Sequence, residues 1–129
     1  MGKFIEVTFD EKLDCAVIHY KAVAIETVAD VAAWAKEVDA AFGRRRGKKI
    51  DIIVDLGEMV VRPSAVAAYD EERQRLFSAY AKGAYRYAGT GVVRTRILTS
   101  ATIHGQSANL YATFEEARDA LLRDRHQGE

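Results

Sequence analysis

Alternating apolar and polar positions at the start of the chain predict a β-hairpin. The segment "KFIEVTFD" separates into two faces, with Phe4, Glu6 and Thr8 on one and Ile5, Val7 and Phe9 on the other. This alternation is the period of a strand. "EKLD" then has the composition of a turn, and "CAVIHYKAVAI" continues as a second strand. We therefore expect an antiparallel hairpin within Phe4–Ile25.

Two longer segments have the period of helices. The first begins at Thr27, whose hydroxyl can cap the backbone, and Asp30 places a negative charge in its first turn before Gly43 ends it. Its apolar stripe consists of Val28, Val31, Ala35, Val38 and Phe42. The second helix follows Pro63 and Ser64 and fades near "AKGAYRYAGTG". Its predicted buried side consists of Val66, Tyr69, Leu76, Phe77 and Tyr80.

The segment between these helices is the most continuous apolar run in the chain. "KIDIIVDL" contains Ile50, Ile52, Ile53, Val54 and Leu56. A run with so little alternation is typical of a central strand that is covered on both faces.

The last third of the chain has weaker patterns. "GVVRTRIL" predicts another strand, "TSATIHGQSAN" fits either a short helix or an irregular connection, and "LYAT" fits a short edge strand. Thr113 and Glu116 have the spacing of a capping box. The final helix that they begin has a stripe of Phe114, Ala117 and Leu121. The residues after Leu122 are polar, and we expect a frayed tail there.

The order of these elements predicts an α/β fold. A hairpin followed by alternating strands and helices indicates a mixed sheet of four to five strands flanked by helices, with right-handed crossovers between parallel strands. The sequence contains no repeat, linker or low-complexity segment that would divide it. Residues 1–129 are therefore expected to form one domain, with a core from about 4 to 122 and a polar tail at 123–129.

Composition narrows the functional classes. Hydrophobic residues make up 49% and charged residues 29% of 129 residues, as in a globular protein, and 19 basic residues balance 19 acidic ones. A neutral chain has no global field to attract nucleic acid or an anionic membrane. The single cysteine, Cys15, favours a reducing compartment. Since neither a signal peptide nor an apolar run of about 18 residues is present, we expect a cytoplasmic protein without a membrane span.

Several segments together resemble a known family. The hairpin, the helix from Thr27, the strand ending "VDLGEM", the helix after "RPSA" and the closing "LYATFEEARDALL" are similar to the STAS superfamily of anti-anti-sigma factors, especially its SpoIIAA-like branch, which is often grouped with Sec14-like domains. The resemblance covers Phe4 to Leu122. It implies a SpoIIAA-like fold and a regulatory domain that binds a protein, is not an enzyme and needs no cofactor or metal.

The resemblance also indicates a phosphorylation site. Anti-anti-sigma factors have an Asp-Ser-Ser-Gly loop after this strand, and a partner kinase phosphorylates a serine in it. Ser64 matches that serine, whereas Pro63, Ala65 and Val66 replace its neighbours. We expect the turn Gly57–Ser64 and the exposed side of the next helix to bind a regulator or kinase. The partner-binding candidates are Glu58, Arg62, Asp70, Glu71 and Arg75.

Physical chemistry allows Ser64 two roles. A phosphate on it would carry a charge of roughly −1.5 to −2 and could be held by the unpaired amides of the first helical turn. Alternatively, serine is a preferred N-cap that stabilises a helix by about 1 kcal/mol relative to alanine. The sequence leaves both roles open.

Two alternative functions come from other classes. The link to Sec14-like domains implies a module that binds a small ligand or lipid in an apolar pocket. A subunit of a homodimer or larger assembly, paired through an exposed edge strand, is the other.

The remaining candidate residues indicate no catalytic or metal site. His19, His104 and His126 lack metal spacing, and His104 with Ser107 lacks the context of a hydrolase. We interpret His19 as a partly buried strand residue and Cys15 as a small core residue.

Two features have the residue types of nucleic-acid contacts. "RRRGKK" at 44–49 fits a phosphate contact or, more simply, a solvated connector. Tyr80, Tyr85 and Tyr87 flank Lys82 and Arg86, but no ribonucleoprotein motif accompanies them. We therefore do not expect a nucleic-acid partner.

Overall fold

Strands in sequence order form the sheet of this protein. The structure is a computed structural model that describes residues 2–43, 48–103, 105 and 108–127, and within these residues there are five strands. They are β1 (Ile5–Asp10), β2 (Cys15–Tyr20), β3 (Ile50–Asp55), β4 (Ala81–Tyr87) and β5 (Leu110–Tyr111). The helices are α1 (Val28–Phe42), α2 (Val66–Tyr80), α3 (Gly91–Ile103) and α4 (Phe114–Gln127), and a 3-10 turn at Pro63–Ala65 precedes α2.

The sheet is mixed, as the sequence predicts. Strands β1 and β2 form the antiparallel hairpin, and the pairs β2–β3, β3–β4 and β4–β5 are parallel. The predicted central strand is confirmed as β3, in which Ile52 and Ile53 are fully buried on opposite faces. The α/β class, the N-terminal hairpin and the short edge strand at "LYAT" are therefore all confirmed.

The two faces of the sheet are covered unequally. Helices α1, α2 and α3 pack on one face, around a core that includes Ile18, Trp34, Ile52, Leu76 and Val93. Helix α4 packs on the other face, against Cys15, Val17, Ile53 and Tyr85. A single helix is narrower than a five-stranded sheet, so part of this second face stays open to solvent.

The predicted start of α1 is confirmed in detail. The Thr27 hydroxyl accepts a hydrogen bond from the Asp30 amide at 3.1 Å, and the Asp30 carboxylate accepts one from the Thr27 amide at 3.2 Å. Gly43 is the C-cap, as predicted. The predicted stripe is wrong at Val28, which is 63% exposed, while Trp34 is buried and takes a central place in the core.

The segment "AKGAYRY" is strand β4 and not the fading end of a helix. Tyr85 and Tyr87 point to the α4 face, whereas Arg86 lies on the opposite side near Phe77. This alternation over Tyr85–Tyr87 is the period of a strand. The sequence interpretation treated these residues as the fading end of α2 and did not recognise so short an alternation.

The predicted strand "GVVRTRIL" is wrong, because these residues belong to helix α3. Its buried residues, Val93, Ile97 and Ser100, have helical spacing. Thr90 begins the helix, since its hydroxyl accepts a hydrogen bond from the Val93 amide at 3.3 Å. The β-branched residues of this segment resemble a strand locally, but packing against the sheet selects the helix.

Helix α4 extends to Gln127, so the residues after Leu122 continue the helix and do not form the expected frayed tail. Arg125 explains the extension. Its Nε donates to the buried Asp51 carboxylate at 2.8 Å, and its other nitrogens donate to the carbonyls of Leu13 and Asp14. Arg125, which lies in the expected tail, therefore pairs with Asp51, the buried carboxylate of β3.

Candidate functional site

The connection from β3 to α2 packs against the connection from β2 to α1. The Ile25 amide donates to the Val60 carbonyl at 2.9 Å, and the Arg62 amide donates to the Ile25 carbonyl at 2.8 Å. Gly57 permits the turn that starts this segment, because its φ is +50° and a Cβ there would lie 3.3 Å from the Tyr20 carbonyl oxygen. Both connections thus meet at the carboxyl end of the parallel strands.

Ser64 joins the two connections. Its Oγ donates a hydrogen bond to the Glu26 carbonyl oxygen at 2.8 Å, and the residue is exposed. The N-cap interpretation is wrong: Ser64 lies inside the 3-10 turn, and the cap positions Arg62 and Ala65 make no side-chain cap. The hydroxyl therefore links the start of α2 to the residue before the N-cap of α1.

Exposed residues surround this hydroxyl. We define the Ser64 surface as Glu26, Val28, Glu58, Val60, Arg62 and Ser64, all of which are exposed. Val28 and Val60 are 63% and 38% exposed, so this surface includes two apolar side chains beside the polar ones. Arg62 lies 4.0 Å from the Glu26 carboxylate, so a cation and an anion flank the serine.

The other predicted partner-binding residues lie further along α2. Glu71 and Arg75 are exposed, and Asp70 is partly exposed. At 1.5 Å rise per residue, Arg75 is roughly 16 Å along the chain axis from Ser64. Its guanidinium pairs with Glu72 at 2.6 Å and with Asp39 of α1 at 3.3 Å. The structure therefore brings Arg62 and Ser64 together beside Glu26, leaves Glu58 exposed in the same connection, and uses Arg75 to join α2 to α1.

A second polar feature borders the Ser64 surface and was missed from the sequence. The strand registers align side chains of five strands in one line across the face of the sheet that α4 partly covers, and we call this line the polar row. It consists of Glu6, His19, Asp55, Tyr87 and Tyr111. Glu6 is exposed and the others are partly exposed, because the row lies at the carboxyl end of the parallel strands, where α4 begins.

Asp55 is the centre of the polar row. Its Oδ2 lies 3.1 Å from His19 Nδ1, and its Oδ1 accepts from the Gly57 amide at 2.9 Å. Burial, and then the charge and hydrogen bond of Asp55, raise the pKa of Tyr87 to about 12. Tyr87 therefore keeps its proton at neutral pH, and its hydroxyl donates a hydrogen bond to Asp55. Gly57 connects the polar row to the Ser64 surface, because its amide donates to Asp55 and the next residue, Glu58, belongs to that surface.

The interpretation of Cys15 as a core residue is confirmed. The thiol is buried, and burial raises its pKa to about 11, so it is a poor nucleophile at neutral pH. His19 is partly buried in its strand, as expected, and additionally pairs with Asp55.

The tyrosine platform considered for nucleic acid is not formed. The Tyr80 ring stacks on Phe42 and its hydroxyl donates to Asp39 at 2.6 Å, while the Tyr85 hydroxyl donates to Asp124 at 2.8 Å. Of the predicted basic loop, Arg44–Gly47 lies outside the described residues, as do His104 and Ser107.

Neither a cluster of metal ligands nor a membrane-spanning helix occurs within the described ranges. No group of three or more His, Cys, Asp or Glu side chains there could hold a metal ion. In the same part of the chain, no helix combines the length and apolar character needed to cross a bilayer.

Comparisons with known proteins give no family for this chain. No family model matches the sequence, and no curated protein matches it.

Proposed function

We propose that this chain is a regulatory domain of the STAS type that binds a protein partner through the Ser64 surface and is not a catalyst. Phosphorylation of Ser64 controls the binding. The partner is a regulator or kinase that places apolar side chains on Val28 and Val60 and polar groups beside Arg62.

One observation carries the proposal, namely the exposed hydrogen bond from Ser64 to the Glu26 carbonyl. A hydroxyl in this position is accessible to a kinase, and it also connects the starts of two helices. A modification of one side chain can therefore change both the charge and the local packing of the surface that a partner would contact.

The charges around Ser64 indicate whether phosphorylation would strengthen or weaken partner binding. A phosphorylated Ser64 has lost the hydroxyl proton that it donates to the Glu26 carbonyl. The phosphate would also bring negative charge beside the Glu26 carboxylate. Arg62 is the cation within reach, and a phosphate would compete with Glu26 for it. The amides of Glu26 and Thr27 are not available to a phosphate, since both already donate to the Asp30 carboxylate. We expect phosphorylation to separate the turn from Glu26 and to weaken partner binding.

The resemblance to anti-anti-sigma factors supports the same proposal. Ser64 stands in the place of their phosphorylated serine, after the strand that ends "VDLGEM". The replaced neighbours, Pro63, Ala65 and Val66, imply a kinase that recognises a different local sequence.

Tandem mass spectrometry of the protein isolated from its own host tests the control by phosphorylation. We expect a peptide that carries phosphate on Ser64 in at least one growth condition. Ser78, on the outer side of α2, serves as the comparison residue, and we expect no phosphate there. Absence of phosphate from Ser64 in every condition would remove phosphorylation from the proposal and leave the docking surface to be tested separately.

Two alternatives stay predictions. One is a Sec14-like module with an apolar ligand pocket. The other is a homodimer or larger assembly formed through an edge strand, for which β1 and β5 are the outermost strands of the described sheet.

A further inference from the structure

A polar cavity of about 390 Å³ lies beside the second half of α2 and the first half of β4. This volume falls within the range of about 300–1,000 Å³ that is usual for small-ligand sites. The polar residues that line it are Arg73, Gln74, Ser78, Lys82, Arg86 and Asn109. The cavity is remote in sequence from the Ser64 surface, and the lining contains three cations and no carboxylate.

Two of these cations are buried. Arg73 and Arg86 are each about nine-tenths buried by solvent accessibility. Arg73 Nη2 donates to the Ser100 hydroxyl at 2.8 Å, and Arg86 Nη1 donates to the Ala108 carbonyl at 3.1 Å. The Arg86 guanidinium also lies over the Phe77 ring, 5.5 Å from its centre.

Among the described residues, these contacts leave the two positive charges without a counter-ion. Within the described part of the chain, neither Arg73 nor Arg86 has a carboxylate oxygen within 4.0 Å. A guanidinium has five N–H donors, and each of these two makes one side-chain hydrogen bond to the described residues. Buried charges in proteins are normally paired, because removing an ion from water without compensation is costly.

The nearby tyrosines do not supply the missing negative charge. The hydroxyls of Tyr20 and Tyr69 lie 2.9 Å apart, and burial raises the pKa of both, so both are neutral at physiological pH. Burial, followed by the charge of Arg73, lowers the pKa of Arg86 to about 10, yet it stays protonated at neutral pH. The two guanidiniums therefore repel each other across the wall of the cavity.

We propose that this cavity binds a small molecule that carries a phosphate group, held by Arg73, Arg86 and Lys82. Planar guanidinium donors match the oxygens of a phosphate, and an anion between the two arginines would replace their repulsion by attraction. The Gln74, Ser78 and Asn109 side chains add polar groups at the cavity wall. Because the cavity is larger than an inorganic phosphate ion, it leaves room for an organic part of the ligand. This proposal is independent of the function of Ser64.

Titration with inorganic phosphate and with phenyl phosphate, at constant ionic strength against chloride, tests the site. The readouts are the backbone amide NMR signals of Lys82 and Gly83 and the midpoint of thermal unfolding. We expect phenyl phosphate to shift these signals at lower concentration than inorganic phosphate and to raise the unfolding midpoint. No shift and no stabilisation by either compound at tens of millimolar would overturn the proposal.

Variants separate a specific site from general charge attraction. Arg73→Gln should weaken binding about tenfold or more, as expected for a lost charged hydrogen bond. Lys82→Gln, at an exposed position, should weaken phosphate binding about two- to fivefold. This variant keeps the test decisive if Arg73→Gln does not fold. Arg75→Gln, on the same helix but paired with Glu72 outside the cavity, is the matched control and should bind as the wild type does. Equal weakening by Arg75→Gln and Lys82→Gln would overturn the proposal.

Discussion

At the scale of single residues, the Ser64 hydroxyl makes the contact on which the proposed function depends. It donates to a backbone carbonyl, so its partner remains in place whatever side chain occupies position 26. A neutral hydrogen bond of this kind contributes about 1 kcal/mol, which is small compared with the stability of a domain. Breaking it by phosphorylation would therefore alter the local surface without unfolding the protein.

The buried thiol of Cys15 gives a prediction about alkaline pH. Its pKa is raised from 9.0 to about 11 in the folded protein, chiefly by burial. The folded state thus holds the proton more tightly than the unfolded state does, and this contribution to stability is complete below pH 9 and is lost as pH rises towards 11. We expect the difference in free energy of unfolding between wild type and Cys15→Ala to be constant from pH 7 to about 8.5 and to shrink above pH 9.

Urea unfolding across this pH range measures the difference directly. Because both proteins contain the same tyrosines and arginines, the titration of those residues cancels in the comparison. A difference that stays constant up to pH 11 would contradict the burial of the Cys15 thiol.

The chemistry of single residues was only partly visible in the sequence. The capping box of Thr27 and Asp30 could be predicted because cap and partner are three residues apart. The Ser64 contact could not, since its partner Glu26 is 38 residues away. A residue preference predicts a local cap and carries no information about which distant carbonyl lies nearby.

At the scale of elements, helix α3 shows how packing overrides local propensity. Its first residues include Val92, Val93 and Thr95, which favour strands. The helix forms because Val93, Ile97 and Ser100 fall on one side of a helical turn and cover the sheet beside α2. The sequence pattern alone did not distinguish these outcomes, because a strand also places Val93 and Ile97 on a common face.

Neighbouring residues of α3 provide a test of this packing. Ile97 is 8% exposed and Leu98 is 51% exposed. We expect Ile97→Ala to lower the free energy of unfolding by about 2–4 kcal/mol, because it removes buried methyl groups and leaves a cavity. Leu98→Ala, the matched control, should change it by no more than about 0.5 kcal/mol.

Chemical denaturation of both variants, with the slope of the transition checked against the wild type, gives the two values. Equal costs at Ile97 and Leu98 would show that α3 does not bury the face described.

At the scale of the whole molecule, unequal coverage of the sheet locates the candidate surface. Three helices cover one face and α4 covers part of the other, where Tyr87 and Tyr111 pack against it. The Glu6, His19 and Asp55 side chains of the polar row therefore stay at least partly exposed beside the β3–α2 connection. The hairpin and the central strand were predictable, because their periods are local properties of the sequence. The polar row depends on the register between strands, which only the assembled sheet defines.

Site-specific photocross-linking in the native host tests whether a protein partner docks on the Ser64 surface. A photoreactive amino acid would replace Val60, and in a control protein it would replace Lys12, an exposed residue in the turn between β1 and β2. We predict a protein adduct of defined mass from position 60 and none of that mass from position 12. Adding Ser64→Glu to the position 60 variant should reduce the adduct severalfold, whereas Ser64→Thr, which keeps the hydroxyl, should not. If position 60 formed no more adduct than position 12, docking on the Ser64 surface would be contradicted. The same holds if Ser64→Glu left the adduct unchanged in a protein that unfolds as the wild type does.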